Sequence, residues 1–291
     1  MDYILHILIM MCIYTILCMS ANMLTGLTNL ISMGYAAFYG VGAYVTALCV
    51  LYLHWSVIPT LMLILVVNSL LALLIALPSL RLKGDYFILA TLGFQMIIFT
   101  VLYNWTDVTR GPYGISGITD PVIIGSVKLD SIYSFLVFGI VLCLILGFLM
   151  YAMIQSPFSR VLRAMRDDEI ALISLGRNVN YFKILAFIIS SAFTGLAGYL
   201  YATYISYIDP TSFTLDESMF ILSALLIGGT GNIKGPLVGA VFVVILPEIL
   251  RFVGLPDSVA APLRQILYGS ILIWVMFNRK QGIAGKSIIT E

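Results

Sequence analysis

The charged residues of this chain are concentrated in one segment, residues 156–183, which reads SPFSRVLRAMRDDEIALISLGRNVNYFK. The chain carries 15 basic and 14 acidic residues, and eight of them lie in this polar segment, between long apolar runs. They are Arg160, Arg163, Arg166, Asp167, Asp168, Glu169, Arg177 and Lys183. A chain that keeps charge out of its apolar runs and gathers it in one loop is predicted to present that loop to a partner. We assign no catalytic residue to the chain.

The spacing within the polar segment predicts a helix that docks onto a protein. Arg160, Arg163 and Arg166 recur every three residues, which spreads them over a broad helix face. Three acids follow, then an apolar turn with Ala171, and Gly176 is predicted to end the helix in the left-handed conformation. Mixed charge beside apolar side chains suits a groove on a soluble protein. One alternative is a solvated interfacial helix. Another is binding to lipid headgroups, which is disfavoured because the three acids neutralise the three arginines.

Composition places much of the chain in a lipid bilayer. It is 61% apolar and 10% charged, with a mean hydropathy of +1.05, whereas soluble domains are about a quarter charged. The net charge of +1 does not indicate nucleic acid as a partner. The four cysteines lie in apolar runs and the two histidines stand alone, so no disulfide and no metal site is predicted. The predicted fold class is an all-α polytopic membrane protein, with residues 1–291 as a single domain.

Apolar runs of about 20 residues predict membrane-spanning helices. The nine candidates are residues 3–20, 34–53, 57–77, 86–103, 132–154, 184–204, 217–228, 236–252 and 263–277. The seventh is too short for a full crossing, so the expected range is eight to ten spans, with helices broken at Gly-rich stretches. The first run has no basic residue before it and no cleavage site after it, which predicts a retained span rather than a signal peptide.

Basic residues in the short loops predict how the chain is oriented. With nine spans, three basic regions share one face, which is predicted to be cytoplasmic. These regions are Arg81 with Lys83, the basic residues of the polar segment, and Arg279, Lys280 and Lys286. The N-terminus is then outside and the C-terminus cytoplasmic. Residues 104–131, which are rich in Gly, Pro and Asp, are predicted to form an ordered external loop or a short hairpin.

Two Gly-rich stretches, residues 23–44 and 227–239, adjoin the apolar runs. Polar groups and irregular backbone at membrane depth need protein partners or a wet cavity. Ordinary close packing of helices, or a tight turn between spans, also explains these stretches. If the protein has a path for a solute, its polar candidates, chosen by position, are Asn22, Thr25, Asn29, Ser32, Asn68 and Gln95.

The chain has no carboxylate at the centre of a long span, which argues against a proton-coupled carrier. Glu248 and Arg251, near the end of the eighth run, can pair on one helix face. The tail sequence GIAGKS lacks the first glycine of a phosphate-binding loop and the strand that precedes such a loop. No cofactor is therefore assigned to this chain, and if ATP is used, another chain binds it.

Several stretches of the sequence together resemble the permease subunits of the branched-chain amino acid ABC transporter family, in its LivM-like branch. They are LTGLTNLISMGYAAFYGVGAY, LPSLRLKGDYFILATLGF, TRGPYGISGI, SRVLRAMRDDEIALISLGRNVNYFKILAF and GGTGNIKGPLVGA. Their order matches the family, and the similarity covers nearly the whole chain.

This resemblance implies an ABC importer permease fold and one half of a membrane pore, paired with a second homologous permease. Two cytoplasmic ATPase subunits would use ATP and Mg, and an extracytoplasmic binding protein would deliver leucine, isoleucine or valine. Within the polar segment, Glu169, Ala171 and Gly176 would belong to a coupling helix that rests in a groove of an ATPase. Transport would follow alternating access, in the inner membrane of a bacterial or archaeal cell.

Other functions stay open at this stage. Within the same architecture, close relatives of the family move urea or short amides. A secondary carrier or channel would work without ATP, and the charged loop and the lack of buried acids argue against it. A non-transporting membrane scaffold is disfavoured by the Gly-broken helices, because irregular backbone in lipid has no use in a scaffold.

Overall fold

Helices make up almost all of the regular structure of this chain. The computed structural model describes residues 2–79, 82, 84–118, 122–124, 127–128, 131–252, 266–267, 269–271, 273–275, 277 and 282–284. The helices are α1 (Asp2–Ala21), α2 (Tyr35–Tyr52), α3 (Val57–Ser79), α4 (Asp85–Asn104), α5 (Thr106–Thr109), α6 (Ile132–Gln155), α7 (Pro157–Asp167), α8 (Glu169–Ser174), α9 (Val179–Ile205), α10 (Leu215–Gly228) and α11 (Lys234–Phe252). The strands are β1 (Ile115–Ser116), β2 (Val122–Ile124), β3 (Val127–Lys128) and β4 (Tyr207–Ile208). A π-helical turn, Asn22–Gly26, extends α1, and 3₁₀ turns occur at Gly111–Tyr113 and Pro210–Phe213.

Within the described part of the chain, six helices are long and apolar enough to cross a membrane. They are α1 with its π-helical turn, α2, α3, α4, α6 and α9. They coincide with the first six predicted spans, and the all-α polytopic architecture is confirmed, while the count of nine stays a prediction. As expected of the seventh candidate, α10 is short, with 14 residues. The eighth candidate falls in α11, and the ninth lies only partly within the described residues.

The centre of the helix bundle is formed by α2 and α9. In each of these spans 72% of the most apolar window is buried, against 17% in α6. On α3 and α6 many apolar side chains, such as Leu74 and Leu144, are exposed on the outside of the bundle, where lipid would cover them. The helices that carry small residues thus lie inside, and the uniformly apolar helices lie outside.

Glycines allow the backbones of α2 and α9 to approach each other closely. A methyl carbon at Gly42 would lie 2.4 Å from the Gly195 carbonyl oxygen, and one at Gly198 would lie 2.3 Å from the Tyr39 carbonyl oxygen. Lipid tails are as apolar as the helices, so the hydrophobic effect does not drive helices together in a bilayer. Small residues at a crossing let the two backbones approach closely, and the van der Waals contact that results holds the helices together. The small residues of the first Gly-rich stretch therefore serve helix packing, which was one of the two interpretations of that stretch.

Residues 29–34, which lie between the π-helical turn and α2, are not helical, and side-chain hydroxyls on neighbouring helices bond amides in and next to this break. Asn29 adopts left-handed backbone, with a φ of 59°. Thr91 Oγ1 accepts a hydrogen bond from the Met33 amide at 3.0 Å. Ser218 Oγ accepts one from the Ala36 amide, in the first turn of α2, at 2.8 Å. The first Gly-rich stretch thus contains a backbone break at membrane depth, and hydroxyl groups of the protein bond the amides there.

Contacts between distant residues define two ends of the bundle. At one end His6 Nδ1 lies 2.8 Å from the Tyr204 hydroxyl, and β4, which follows α9, pairs with β1. At the other end Arg166 Nη1 donates to the Gly26 carbonyl oxygen at 3.0 Å. The start of α1 and the polar segment therefore lie at opposite ends. Arg81, Lys83 and the basic residues of the C-terminal tail are outside the described residues, so the cytoplasmic assignment stays a prediction.

The connection between α4 and α6, which was predicted to be an ordered external loop or a short hairpin, contains a hairpin. Strands β2 and β3 pair antiparallel within it. Upstream, β1 pairs antiparallel with β4, with Ile115 opposite Ile208. This second pairing joins the α4–α6 connection to the connection between α9 and α10. Both lie at the end of the bundle where α1 begins.

Candidate functional site

The polar segment folds as two helices rather than the single helix that its spacing predicted. The helix α7 ends at Asp167, and α8 begins at Glu169. Between them, Asp168 adopts extended backbone, and its Oδ1 accepts hydrogen bonds from the amides of Ile170 and Ala171 at 2.9 and 3.0 Å. An aspartate that caps the N-terminus of a new helix satisfies amides that otherwise lack partners. The three consecutive acids therefore contain a helix boundary.

The predicted end of the helical segment at Gly176 is confirmed. Gly176 has a φ of +76°, and its amide donates to the Ile173 carbonyl at 3.0 Å. The Arg177 amide donates to the Leu172 carbonyl at 3.3 Å. This pair of bonds is the Schellman motif, which satisfies the last carbonyls of a helix. As a result α8 is a short helix with defined ends, held between two turns.

Two charged side chains of the polar segment attach it to the bundle. Glu169 Oε1 lies 2.8 Å from Lys183 Nζ, and Lys183 is buried in the first turns of α9. At the end of α7, Arg166 bonds the Gly26 carbonyl of the π-helical turn. By contrast, Arg160, Asp167 and Asp168 are exposed, and Arg163 is half-buried, with a buried Nε that has no hydrogen-bond partner among the described residues. Arg166 and Glu169 thus position α7 and α8.

An apolar surface faces away from the bundle on α8. Leu172 is buried, whereas Ile170, Ile173 and Leu175 are 76%, 57% and 78% exposed. We call these three exposed residues the α8 surface. Exposed apolar side chains next to charged ones, on a helix, are typical of a helix that lies in a groove of another protein. The geometry therefore fits the predicted docking role, and the role itself stays a prediction.

Two of the six polar candidates for a solute path lie in the π-helical turn and hold it in place. Asn22 is fully buried, and its Nδ2 donates to the Asn232 carbonyl at 2.7 Å. Its Oδ1 accepts a hydrogen bond from the Gly231 amide at 2.8 Å. Thr25 Oγ1 donates to the Leu30 carbonyl at 3.2 Å. The two Asn22 bonds join the π-helical turn to the second Gly-rich stretch, a link that sequence alone did not predict.

The other four candidates are spread over separate places in the bundle. Asn68 on α3 is fully buried against α9, and neither amide atom has a hydrogen-bond partner in the described part of the chain. Gln95 on α4 is also buried, and its Nε2 donates to the Phe213 carbonyl at 2.8 Å. Ser32 is buried and its Oγ accepts the Gly34 amide, while Asn29 is exposed. Their role in a path stays a prediction.

A cavity of about 770 Å³ lies at the end of the bundle where α1 begins. Its aromatic and apolar wall consists of Met10, Tyr14, Tyr39, Tyr201, Met219, Phe220, Val243, Val244 and Pro247. Its other lining residues are Thr211, Ser212, Thr214, Asp216, Glu217, Ser223, Glu248 and Gly269. The six path candidates lie outside this lining. The pair Asp216 and Glu217, at the start of a short apolar run, is the sequence signal that could have indicated this cavity.

This lining combines carboxylates and hydroxyls with a large apolar wall, and it contains no basic side chain among the described residues. Ligand sites commonly have volumes of about 300–1,000 Å³, with mostly apolar walls and a few polar groups that orient the ligand. The cavity therefore suits a small solute with an apolar part and a cationic or hydrogen-bonding part. Glu248 lines the cavity, and the Arg251 side chain, its predicted partner near the end of the eighth run, lies outside the described residues.

The sequence family described as "Branched-chain amino acid transport system / permease component" matches residues 3–276 of the chain. The chain belongs to this family. The permease is 34% identical to the high-affinity branched-chain amino acid transport system permease protein LivM of Salmonella typhimurium and 32% identical to that of Escherichia coli. Both matches cover 93% of this permease and 67% of the relative. No solved structure matches it.

More distant similarity extends to permeases with other solutes in their names. The permease is 32% identical to the probable branched-chain amino acid transport permease protein LivM of Methanocaldococcus jannaschii, over 74% of the chain and 64% of the relative. It is 28% identical to the guanosine ABC transporter permease protein NupQ of Bacillus subtilis, over 52% of the chain and 48% of the relative. Family membership makes the chain a transport subunit that crosses the membrane several times and works with an ATPase and a binding protein.

Proposed function

We propose that this permease imports branched-chain amino acids (leucine, isoleucine and valine) as one half of the pore of an ABC importer. The observation that carries the proposal is the 32–34% identity to two LivM permeases over 93% of the chain. An alternative is that a permease of the same architecture imports urea or short amides. No contact in the cavity favours these solutes. An ATP-independent carrier or channel is the alternative mechanism.

The proposed importer contains a second homologous permease, two cytoplasmic ATPase subunits and an extracytoplasmic binding protein. This permease binds no cofactor in the proposal, and the ATPase subunits use ATP and Mg. The complex lies in the inner membrane of a bacterial or archaeal cell, with the N-terminus outside and the C-terminus in the cytoplasm. The opposite placement of the start of α1 and the polar segment supports this orientation, because the ATPase must meet the polar segment.

The polar segment is the proposed attachment point for the ATPase. The α8 surface would lie in a groove of the ATPase, and the Glu169–Lys183 ion pair would transmit movements of α8 to α9. Since α9 packs against α2 through glycines, a displacement of α9 displaces the centre of the bundle. ATP binding and hydrolysis would then shift the bundle between states that open to opposite sides, as alternating access requires.

The cavity is the proposed outer chamber of the solute path. An aliphatic amino acid has an apolar side chain, which the apolar wall can cover, an ammonium group, which the carboxylates can bind, and a carboxylate, to which the hydroxyls can donate. The position of the cavity, at the end opposite the polar segment, supports a chamber that is open to the outside. The buried polar candidates Asn22, Thr25, Ser32, Asn68 and Gln95, with the exposed Asn29, would act deeper along the path.

Reconstitution tests the proposed function directly. Proteoliposomes would contain this permease with the products of neighbouring genes and the binding protein, and uptake of labelled leucine and labelled urea would be measured in parallel. We expect leucine uptake that requires both ATP and the binding protein. Urea uptake alone would change the solute and keep the architecture. Uptake of either solute without ATP would refute the ABC importer.

Filling the cavity is expected to stop uptake. Ser223→Trp places an indole among the lining residues, so leucine uptake should fall by roughly tenfold or more, because the volume for the solute is occupied. The matched control is Leu144→Trp on α6, where the side chain is 67% exposed on the outside of the bundle, and uptake should stay near normal. The measurement is uptake of labelled leucine by proteoliposomes. Wild-type uptake by Ser223→Trp protein of normal size-exclusion profile would exclude the cavity from the path.

A further inference from the structure

A single side chain joins the polar segment to the π-helical turn at the end of α1. Arg166, in the last turn of α7, donates from Nη1 to the Gly26 carbonyl oxygen at 3.0 Å. Carbonyls in the last turn of a helix lack the amide partner of a following turn. A guanidinium supplies a charge-assisted hydrogen bond, which is shorter and stronger than a neutral one. The contact links residues 140 positions apart in the chain.

The same π-helical turn is bonded on its other side to the second Gly-rich stretch. Asn22 uses both ends of its amide, accepting from the Gly231 amide at 2.8 Å and donating to the Asn232 carbonyl at 2.7 Å. The backbones are so close that a methyl carbon at Gly26 would lie 2.8 Å from the Gly231 nitrogen. A side chain at Gly26 would therefore separate the two segments.

The turn between α10 and α11 is held in shape by one of these residues. Asn232 Oδ1 accepts a hydrogen bond from the Gly235 amide at 2.7 Å, just after α11 begins. We call the five residues Arg166, Gly26, Asn22, Gly231 and Asn232 the Gly26 junction. Through this junction one hydrogen bond connects the polar segment to the π-helical turn, and two connect that turn to the turn between the helices α10 and α11, which line the cavity.

We propose that Arg166 is a positioning residue that transmits displacement of α7 through the Gly26 junction to the turn between α10 and α11. This proposal rests on the proposed function, because it needs an ATPase that moves the polar segment. It adds a second route, separate from the Glu169–Lys183 ion pair, which attaches α8 to α9 instead. The two attachments act on different helices: the ion pair acts on the centre of the bundle, and Arg166 acts on the helices around the cavity.

Hydrogen exchange of backbone amides tests this route in the complete importer in nanodiscs. Exchange would be compared with and without ADP and vanadate, which trap the ATPase closed. In the wild type we expect nucleotide to change exchange in peptides that cover α7–α8, the π-helical turn and residues 229–235. In Arg166→Ala the change at α7–α8 should persist, while the changes at the other two peptides should fall about fivefold or more, because the link between them is cut.

A second variant separates the steps of the route. Asn22→Ala keeps the Arg166 bond to Gly26 and removes both bonds to the turn, so the change should persist in the π-helical turn and disappear at residues 229–235. Leu144→Ala on α6 is the control, since this side chain is exposed on the outside of the bundle, away from the junction and the polar segment, and its response should match the wild type. Leucine imported per ATP hydrolysed should fall in the two junction variants only.

Three outcomes would overturn the proposal. A wild-type response at residues 229–235 in Arg166→Ala would show that the junction transmits nothing. A loss of the α7–α8 response in that variant would show that Arg166 acts in ATPase docking. A wild-type complex without any response at residues 229–235 would remove the route altogether. The exchange readout does not depend on which solute is carried, so absence of leucine uptake by the wild type refutes the proposed function separately.

Discussion

Replacing Glu169 with lysine is expected to reduce ATP-driven leucine uptake by roughly tenfold or more, while the permease remains inserted in the membrane. Glu169 lies 2.8 Å from the buried Lys183, so the substitution places two ammonium groups together and leaves Lys183 without a counter-charge. Breaking a fully buried ion pair costs several kcal/mol, and since Glu169 is partly exposed we expect about 1–3 kcal/mol. That free energy is lost from the docking of α8 on α9, and about 1.4 kcal/mol corresponds to a factor of ten.

The measurement is uptake and ATP hydrolysis in proteoliposomes, with the membrane content of the permease checked by blotting. The double substitution Glu169→Lys with Lys183→Glu restores the opposite charges in exchanged positions. Recovery of uptake in the double variant would show that Glu169 acts by holding α8 on α9. Continued loss would show that Glu169 also contacts the ATPase. Normal uptake by the single variant would remove α8 from the coupling mechanism.

Replacing Gly42 with valine is expected to prevent α2 and α9 from packing and to destabilise the whole bundle. A single methyl carbon at this position would lie 2.4 Å from the Gly195 carbonyl oxygen, and the contacted atoms belong to the backbone, which cannot rotate away. Overpacking costs about 1–3 kcal/mol and more where the backbone must move. The midpoint of thermal unfolding in detergent should therefore fall by roughly 10 °C, with loss of monodisperse protein.

The matched control for Gly42→Val is Gly93→Val on α4. No atom of the described residues lies within 4 Å of a methyl carbon at Gly93, so the same added volume meets open space there. Its unfolding midpoint should stay within about 2 °C of the wild type, since surface substitutions rarely exceed 0.5 kcal/mol. If both variants behave alike, close approach of α2 and α9 does not support the fold.

The spans and the ends of the polar segment were predictable because they depend on local sequence. A run of about 20 apolar residues must be helical in lipid, where each backbone group needs a partner within its own segment. Gly176 was predicted to end the helix of the polar segment because glycine adopts left-handed backbone without strain, and its φ is +76°. The boundary at Asp168 was missed because three consecutive acids look like one polar helix turn, while the middle acid caps a new helix.

The candidate site was predicted only in part, because its geometry depends on contacts across the chain. The polar segment was identified from its charge density, but its two attachments join Lys183 to Glu169 and Arg166 to Gly26, and no local pattern indicates these partners. Asn22 was selected as a polar group at membrane depth, and its bonds to Gly231 and Asn232 became apparent only in the fold. The cavity, with Glu217 in its lining, was not predicted at all.

Sequence was sufficient for the membrane class, the first six spans, the charged loop and the family. These properties follow from composition and from local patterns along the chain. The length of an apolar run and the density of charge do not depend on which helices become neighbours. The arrangement of α2 and α9 at the centre, the cavity and the Gly26 junction required the tertiary structure. Helices such as α3 and α6 are apolar on every side, so hydrophobicity does not specify which face is buried. On α3 the buried face is the one that carries Ile64 and Asn68, because only this face packs closely against Gly195 of α9.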